Sequence, residues 1–360
     1  MGGAAAPYLA VALDGTGWHP AAWRLPDARP RELLGAGYWI GLVREAEAGG
    51  LDFVTIEDSM GLQTSRYEGP DGRVDQVRGR LDAVLVAARV APATRRIGLV
   101  PTATVTHTEP LHVARSLATL DHLAGGRGGW RPQASNRADE AKHFGHRTLP
   151  VFTIAQFDDP DVAPVFAALF DEAAEFVAAV RHHWRAGPLP PVQDQPPVMV
   201  LAHATVPYRL AARAADVVWV TAFDAARVRE IVGEVRAEQR AAGRAGEPLH
   251  IYGDLVVFLD ADPAAAKARK DRLDELAGEV FATDTLVFAG SPAELADLMA
   301  DWQEAGVTGF RLRPGALPHD LTAVTRLLTA ELRRRGALRE PAGPDGSLRV
   351  RLGLAAGAPR

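Results

Sequence analysis

The chain contains no cysteine. Disulfides, thiolate metal sites and cysteine nucleophiles are therefore excluded, and a cytoplasmic setting is the expected one. No apolar run reaches the ~18–20 residues that a bilayer-spanning helix needs. The first residues, Met1–Pro7, lack the basic-then-apolar pattern of a secretory leader. No membrane partner is expected on these grounds. A basic stripe is missing too: the formal net charge is −5 with 24% charged residues, so the electrostatic footprint of a nucleic-acid binder is absent. No Gly-x-Gly-x-x-Gly follows the first strand-like run, which removes the dinucleotide fingerprint of an open doubly wound sheet.

The chain does have 360 residues with 47% hydrophobic content, enough for one large core or two smaller ones. Strand-like and helix-like segments alternate along most of its length. Tyr8–Leu13, Leu51–Glu57, Ile97–Thr104, Gly128–Trp130, Val198–Leu201, Val217–Thr221, Leu249–Leu259 and Gly309–Arg313 read as strands. Between them, Trp39–Ala48, Leu81–Val90, Pro110–Leu123, Asp171–Trp184, Pro207–Ala215, Ala225–Ala242, Pro263–Val280 and Ser291–Ala305 read as helices, with a last helix at Leu321–Arg335. Ser291-Pro292-Ala293-Glu294 is a capping box. Residues 61–79 and 131–170 are loop-like, 187–197 is a proline-rich connector, and the tail after Glu340 reads as an arm or a disordered end.

Alternating strands and helices argue for a parallel sheet covered by helices. A closed (β/α)8 TIM barrel and an open doubly wound sheet both fit, and the strand count and length favour the barrel, as one domain over residues 1–340 with a tail at 341–360. In a barrel the chemistry lies at the C-terminal ends of the strands. The residues that fall there are Asp14, Trp18, His19, Glu57, Asp58, Thr104, Thr106, His107, Trp130, Ser135, His203, Thr205, Thr221 and Arg313.

Two segments carry a resemblance. Phe53-Val54-Thr55-Ile56-Glu57-Asp58 and the block from Ala114-Arg115 through Leu120-Asp121-His122-Leu123-Ala124-Gly125-Gly126-Arg127-Gly128-Gly129-Trp130 resemble the bacterial luciferase-like monooxygenases. The branch is the one with nitrilotriacetate and dibenzothiophene-sulfone monooxygenases. Weaker matches run through Phe144-Gly145, Ala174-Glu175-Phe176-Val177, Ala211-Ala212-Arg213-Ala214-Ala215-Asp216 and Gly309-Phe310-Arg311-Leu312. The resemblance implies reduced FMN from a separate flavin reductase, and O2 adding to it as a C4a-hydroperoxide that oxygenates a small organic substrate. It also implies a homodimer. F420-dependent hydride transfer in the same superfamily and a non-catalytic ligand-binding paralogue are the alternatives. The chain departs from the family at Arg131, where an Asn is usual, at Gln133-Ala134, and at Ala202-His203-Ala204-Thr205, where the phosphate loop lies; its 185–197 connector is also short.

Against that background each candidate has two readings. Thr102, Thr104 and Thr106 share one face of a strand and suit a pyrimidine edge, or reflect β-propensity. Asp58 is a flavin contact or a helix cap. His107 is the catalytic candidate as proton donor, or a structural hydrogen-bonder. Trp130 walls the pocket or packs the barrel, and Ser135 follows it at the rim. His203, Thr205 and Tyr208 precede or open a helix whose N-terminus is a natural phosphate site. Arg137 and Arg147 are further phosphate candidates, and Asp121 and Arg127 are placed to pair across the glycine turn. That turn itself falls at the barrel bottom and reads as scaffold. A metal-dependent hydrolase would need His19, Asp58, His107 and His203 to converge; no metal is expected.

Overall fold

The computed structural model describes residues 5–64, 66, 69–151, 156, 159–186, 189, 192, 194–340, 343 and 346–355. The barrel strands are β1 (Tyr8–Leu13), β2 (Phe53–Ile56), β3 (Gly98–Thr104), β4 (Arg131–Gln133), β5 (Met199–Ala202), β6 (Val217–Thr221), β7 (His250–Leu259) and β9 (Gly309–Pro314). They pair in parallel in the order β4-β3-β2-β1-β9-β7-β6-β5. The ring closes where Trp130 bridges Val198: Trp130 N donates to Pro197 O at 2.9 Å and Met199 N to Trp130 O at 2.8 Å. Seven of the eight segments read from the sequence as strands are barrel staves; the fourth, Gly128–Trp130, forms isolated bridges and leads into β4, which starts at Arg131. One further strand, β8 (Val287–Gly290), was not anticipated; it pairs only with the outer end of β7, from Val256 to Leu259.

The helices that clad the barrel are α1 (Ala36–Ala48), α2 (Ala83–Val90), α3 (Pro110–Ala124), α5 (Ala163–Ala186), α6 (Thr205–Ala214), α7 (Ala225–Ala241), α8 (Pro263–Ala277) and α9 (Pro292–Glu304). The last helical stretch runs from α10 (His319–Ala323) through a π turn into α11 (Thr329–Arg334). The residues 131–170, read as irregular, contain α4 (Ala138–Phe144) and the first turns of α5. Short helices such as α4 carry too little apolar periodicity to stand out in a polar segment. Among the described residues, no helix is long and apolar enough to cross a membrane.

Side chains alternate along each stave, so every second one enters the lumen. The lower lumen is apolar: Tyr8, Ala10, Phe53, Val100, Met199, Val217, Trp219 and Tyr252 pack there. A helix from the tail, α12 (Leu348–Arg351), seals this end. Leu348 lies in the same cluster, and its N–H donates to Gly126 O at 2.8 Å. That contact explains the glycine-rich turn. Gly125 ends α3 in the left-handed region at φ 61°, where a side chain would be strained. A Cβ at Gly129 would come within 2.9 Å of Val100 and 3.2 Å of Leu348. Arg127 does not pair with Asp121; its guanidinium bonds Thr94 and the carbonyls of Ala91, Thr94 and Ile97.

The tail also grips the other side of the closing seam. Arg349 donates to Asp216 at 2.7 Å and to Gln195 O at 2.7 Å. Asp216 in turn accepts from Val198 N at 2.9 Å, the first residue of the bridge. The strap therefore joins the β4 side, through Gly126 and Gly129, to the β5 side, through Asp216. Truncating Leu348 to Ala removes a fully buried side chain and is expected to cost about 2–4 kcal/mol in denaturant unfolding. A cost under about 0.5 kcal/mol, the range of an ordinary surface substitution, would show that the strap is peripheral.

Candidate functional site

The upper lumen is charged, and the charges form one alternating chain. Arg131 on β4 pairs with Glu57 Oε2 just beyond β2. Glu57 Oε1 accepts from Arg311 of β9 at 3.1 Å. Arg311 makes a bidentate pair with Asp254 of β7, at 2.9 and 2.8 Å. Asp254 also accepts from Arg313 Nε at 2.9 Å, and Arg313 Nη1 reaches Asp284 at 2.8 Å. The strand register makes this possible: Asp254 lies opposite Arg311, and Thr102 opposite Arg131. Beside the chain, Arg80 and Asp14 form their own bidentate pair at 3.0 and 2.6 Å.

Burial alone would raise the Glu57 carboxyl, but Arg131 and Arg311 outweigh it and hold it at about 2. Asp284 is likewise held at about 2, by Arg313 against the effect of burial. Two rings flank the chain: the Arg311 guanidinium lies 4.3 Å from the Trp219 ring centroid and that of Arg313 4.5 Å from Trp18. Strand-end reasoning picked out Asp14, Glu57 and Arg313, but it passed over Asp254, Arg311, Asp284 and Arg80. The available signal was a charged residue at every second position inside otherwise apolar runs, as in Gly309-Phe310-Arg311-Leu312-Arg313.

Around this floor the anticipated residues divide. Thr102 faces the lumen and accepts from Arg131 at 3.1 Å. Thr104 is on the same face, and its hydroxyl makes no hydrogen bond among the described residues. Thr106 accepts from Ser135 N at 2.7 Å, which ties the loop after β3 to the loop after β4. Asp58 caps α2: its two oxygens accept from Ser59 N at 2.7 Å and Ala83 N at 2.8 Å. Burial lifts its carboxyl to about 6. His107 stacks on Phe144 of α4 at 5.2 Å, with both ring nitrogens buried and unbonded. Burial, helped by Arg147, lowers its pKa and favours the neutral ring.

Two expectations are corrected. Trp130 does not wall the mouth; its indole packs outside the barrel against Phe176 at 6.4 Å and Trp184 at 6.3 Å. Alternation turns its neighbour Arg131 inward instead. Tyr208 does not point to the rim either, because its hydroxyl is buried without a partner in the main core, and burial raises it to about 12. His203 and Thr205 do stand exposed at the rim, at the end of β5 and the start of α6. Arg137 bonds Asp139 and Arg147 pairs with Glu172. Among the described residues, no three of the side chains in the metal-site alternative form a group that could hold a metal ion; His19 is hydrogen-bonded to Asp274 of α8 at 3.0 Å and lies against Phe258 and Phe281.

FMN can be tested against this geometry. The α6 N-cap, Ala204, makes no side-chain cap bond, so the first-turn N–H groups face the rim without a partner from their own cap. Thr104 adds an unbonded hydroxyl on the lumen face. These donors fit a phosphate and a flavin edge. The model of the luciferase-like monooxygenases matches residues 18–278. The chain belongs to that family.

Among members of the family, it is 27% identical to nitrilotriacetate monooxygenase component A of Aminobacter aminovorans, over 94% of each chain. That alignment spans 434 positions against the 360 residues here, so the relative carries segments this chain lacks. Identity to the dibenzothiophene-sulfone monooxygenase of Rhodococcus erythropolis is 26%, over 79% of this chain and 70% of the relative. The solved structure of a long-chain alkane monooxygenase superposes with a TM-score of 0.81 at 17% identity, over 97% and 96% of the two chains. For this luciferase-like monooxygenase, Asp254→Asn would leave Arg311 and Arg313 buried with half their partner. The expected cost is about 3–5 kcal/mol in chemical unfolding. Glu57 and Asp284 have folded values below their unfolded ones, so they add stability above pH ~4–5 that is lost as pH falls toward ~2. Unfolding measured between pH 6 and 2 is expected to show that loss, and Asp284→Asn is expected to reduce it.

Proposed function

We propose that this chain is the oxygenating component of a two-component flavin monooxygenase. Reduced FMN, supplied by a separate reductase, gives the two electrons that let one atom of O2 enter a small organic substrate while the other leaves as water. The observation that carries the reading is the rim of β5 and α6. There, uncommitted N–H groups and the exposed Thr205 stand at the strand end, where an anionic phosphate is favoured. The name of the first relative, a component A, supports a partner reductase. The further parts of the reading are a homodimer, taken from the family resemblance, and a cytoplasmic setting, taken from the absence of cysteine.

The chain's own part is to bind and orient. Thr104 presents a hydroxyl on the lumen face, and the charged chain below it makes a floor that cannot shift without separating buried ion pairs. His107, neutral and stacked on Phe144 with both ring nitrogens unbonded, is the chain's candidate to take or give a proton.

Anaerobic titration with reduced FMN is expected to give micromolar binding, and riboflavin, which lacks the phosphate, is expected to bind more weakly. Thr205→Glu places a negative charge at the α6 N-terminus and is expected to weaken FMN at least tenfold while sparing riboflavin. Equal effects on both would remove the phosphate site from α6. Binding of F420 in place of FMN would move the chain to hydride transfer, and binding of neither would leave a non-catalytic paralogue.

A further inference from the structure

The alternating chain has two ends, and they differ. It runs Arg131, Glu57, Arg311, Asp254, Arg313, Asp284, with positive charge at one end and negative at the other. Each of the four inner members has an opposite charge on both sides. Asp284 has one charged partner and accepts from the Thr283 hydroxyl at 2.7 Å, and its side chain is 38% exposed. Arg131 also has one charged partner, yet its side chain is only 11% exposed.

The way Arg131 is held matters. Both of its hydrogen bonds, to Glu57 and to Thr102, use Nη1. Its Nε and Nη2 bond to nothing among the described residues, and neither is among the sealed, unpartnered atoms, so each keeps some accessible surface. Nε and Nη2 together form the side-on edge of a guanidinium, the fork that matches the two oxygens of a carboxylate. A guanidinium that is mostly desolvated, fixed at one nitrogen and free along its fork lacks one anion.

We propose that the Nε–Nη2 edge of Arg131 takes a carboxylate of the substrate side-on, and that the substrate is therefore a small organic acid. This rests on the flavin-monooxygenase reading of the same barrel mouth. Glu57 is a positioning residue here: it is itself held by Arg311 and fixes the plane of the fork through Nη1. The Asn usual at this position in the family has no such fork. Arg131 thus gives this chain a charged, two-pronged contact for a carboxylate that an Asn at this position could not make.

The test uses the full chain without flavin, with acetate and succinate as probes and acetamide and succinamide as their uncharged counterparts, read by calorimetric titration. The acids are expected to bind at least tenfold tighter than the amides. Arg131→Gln is expected to abolish that preference. Arg131→Lys keeps the charge and the Glu57 pair, so it guards against a folding failure; it loses the fork and is expected to weaken succinate several-fold. Wild-type protein that does not distinguish acids from amides would overturn the proposal, as would variants that bind succinate within twofold of wild type. Titration of the same variants with reduced FMN and riboflavin separates the two readings. Unchanged FMN binding with lost succinate binding supports the proposal. Lost FMN binding with riboflavin spared would give the fork to the flavin phosphate and overturn it. Succinate bound at Arg131 in a protein that binds no flavin would sink the monooxygenase reading and leave the anion site standing.

Discussion

Three arginines and three carboxylates in the barrel lumen constrain everything above them. Taking such groups out of water is expensive, and only close pairing with full hydrogen bonding offsets the cost. Arg311 and Asp254 are wholly buried, so neither has water to fall back on. The geometry of the pair is consequently stiff, and β2, β4, β7 and β9 are locked to one another through side chains as well as through the sheet. A mouth built on this floor is preorganised: Thr102 is oriented by Arg131, Arg131 by Glu57, and Glu57 by Arg311.

A barrel must also close, and here the closure is thin. The β4–β5 seam has the short Trp130–Val198 bridge where other stave pairs have full ladders. Two reinforcements flank it. Outside, Trp130 packs on Phe176 and Trp184 of α5. Below, α12 joins Gly126 to Asp216 across the gap. The glycine turn that carries the family resemblance is the surface on which that tail helix lies, so its conformational demands are those of scaffold. The charged lumen begins just past the turn, at Arg131.

The staves were legible because most are short apolar runs between turn signals, and their length and flanking Gly and Pro residues separate such runs from buried helices. Helix α4 and strand β8 were not, since each is short and held by neighbours more than by its own pattern. The site was half legible. Strand ends gave Asp14, Glu57 and Arg313, but a residue's face depends on register. Assigning Trp130 to the mouth in place of Arg131 is a one-residue error, and in a strand one residue reverses the face. The pairing of Asp254 with both Arg311 and Arg313 depends on β7 lying beside β9, an adjacency with no local signature.

The sequence by itself determined the class of fold, the parallel staves, the family and the absence of any thiol chemistry. The fold class, the staves and the missing thiols follow from composition and from periodicities of two and 3.6 residues, and the family from the resemblance of residues 53–58 and 114–130, all of them local properties of the chain. Only the tertiary structure decided which charges meet and which atoms remain free. Six ionisable residues from three strands and two loops converge in one lumen, and their order leaves Arg131 with an open fork at its end. That outcome is set by register and strand order, which are long-range consequences of closing the barrel.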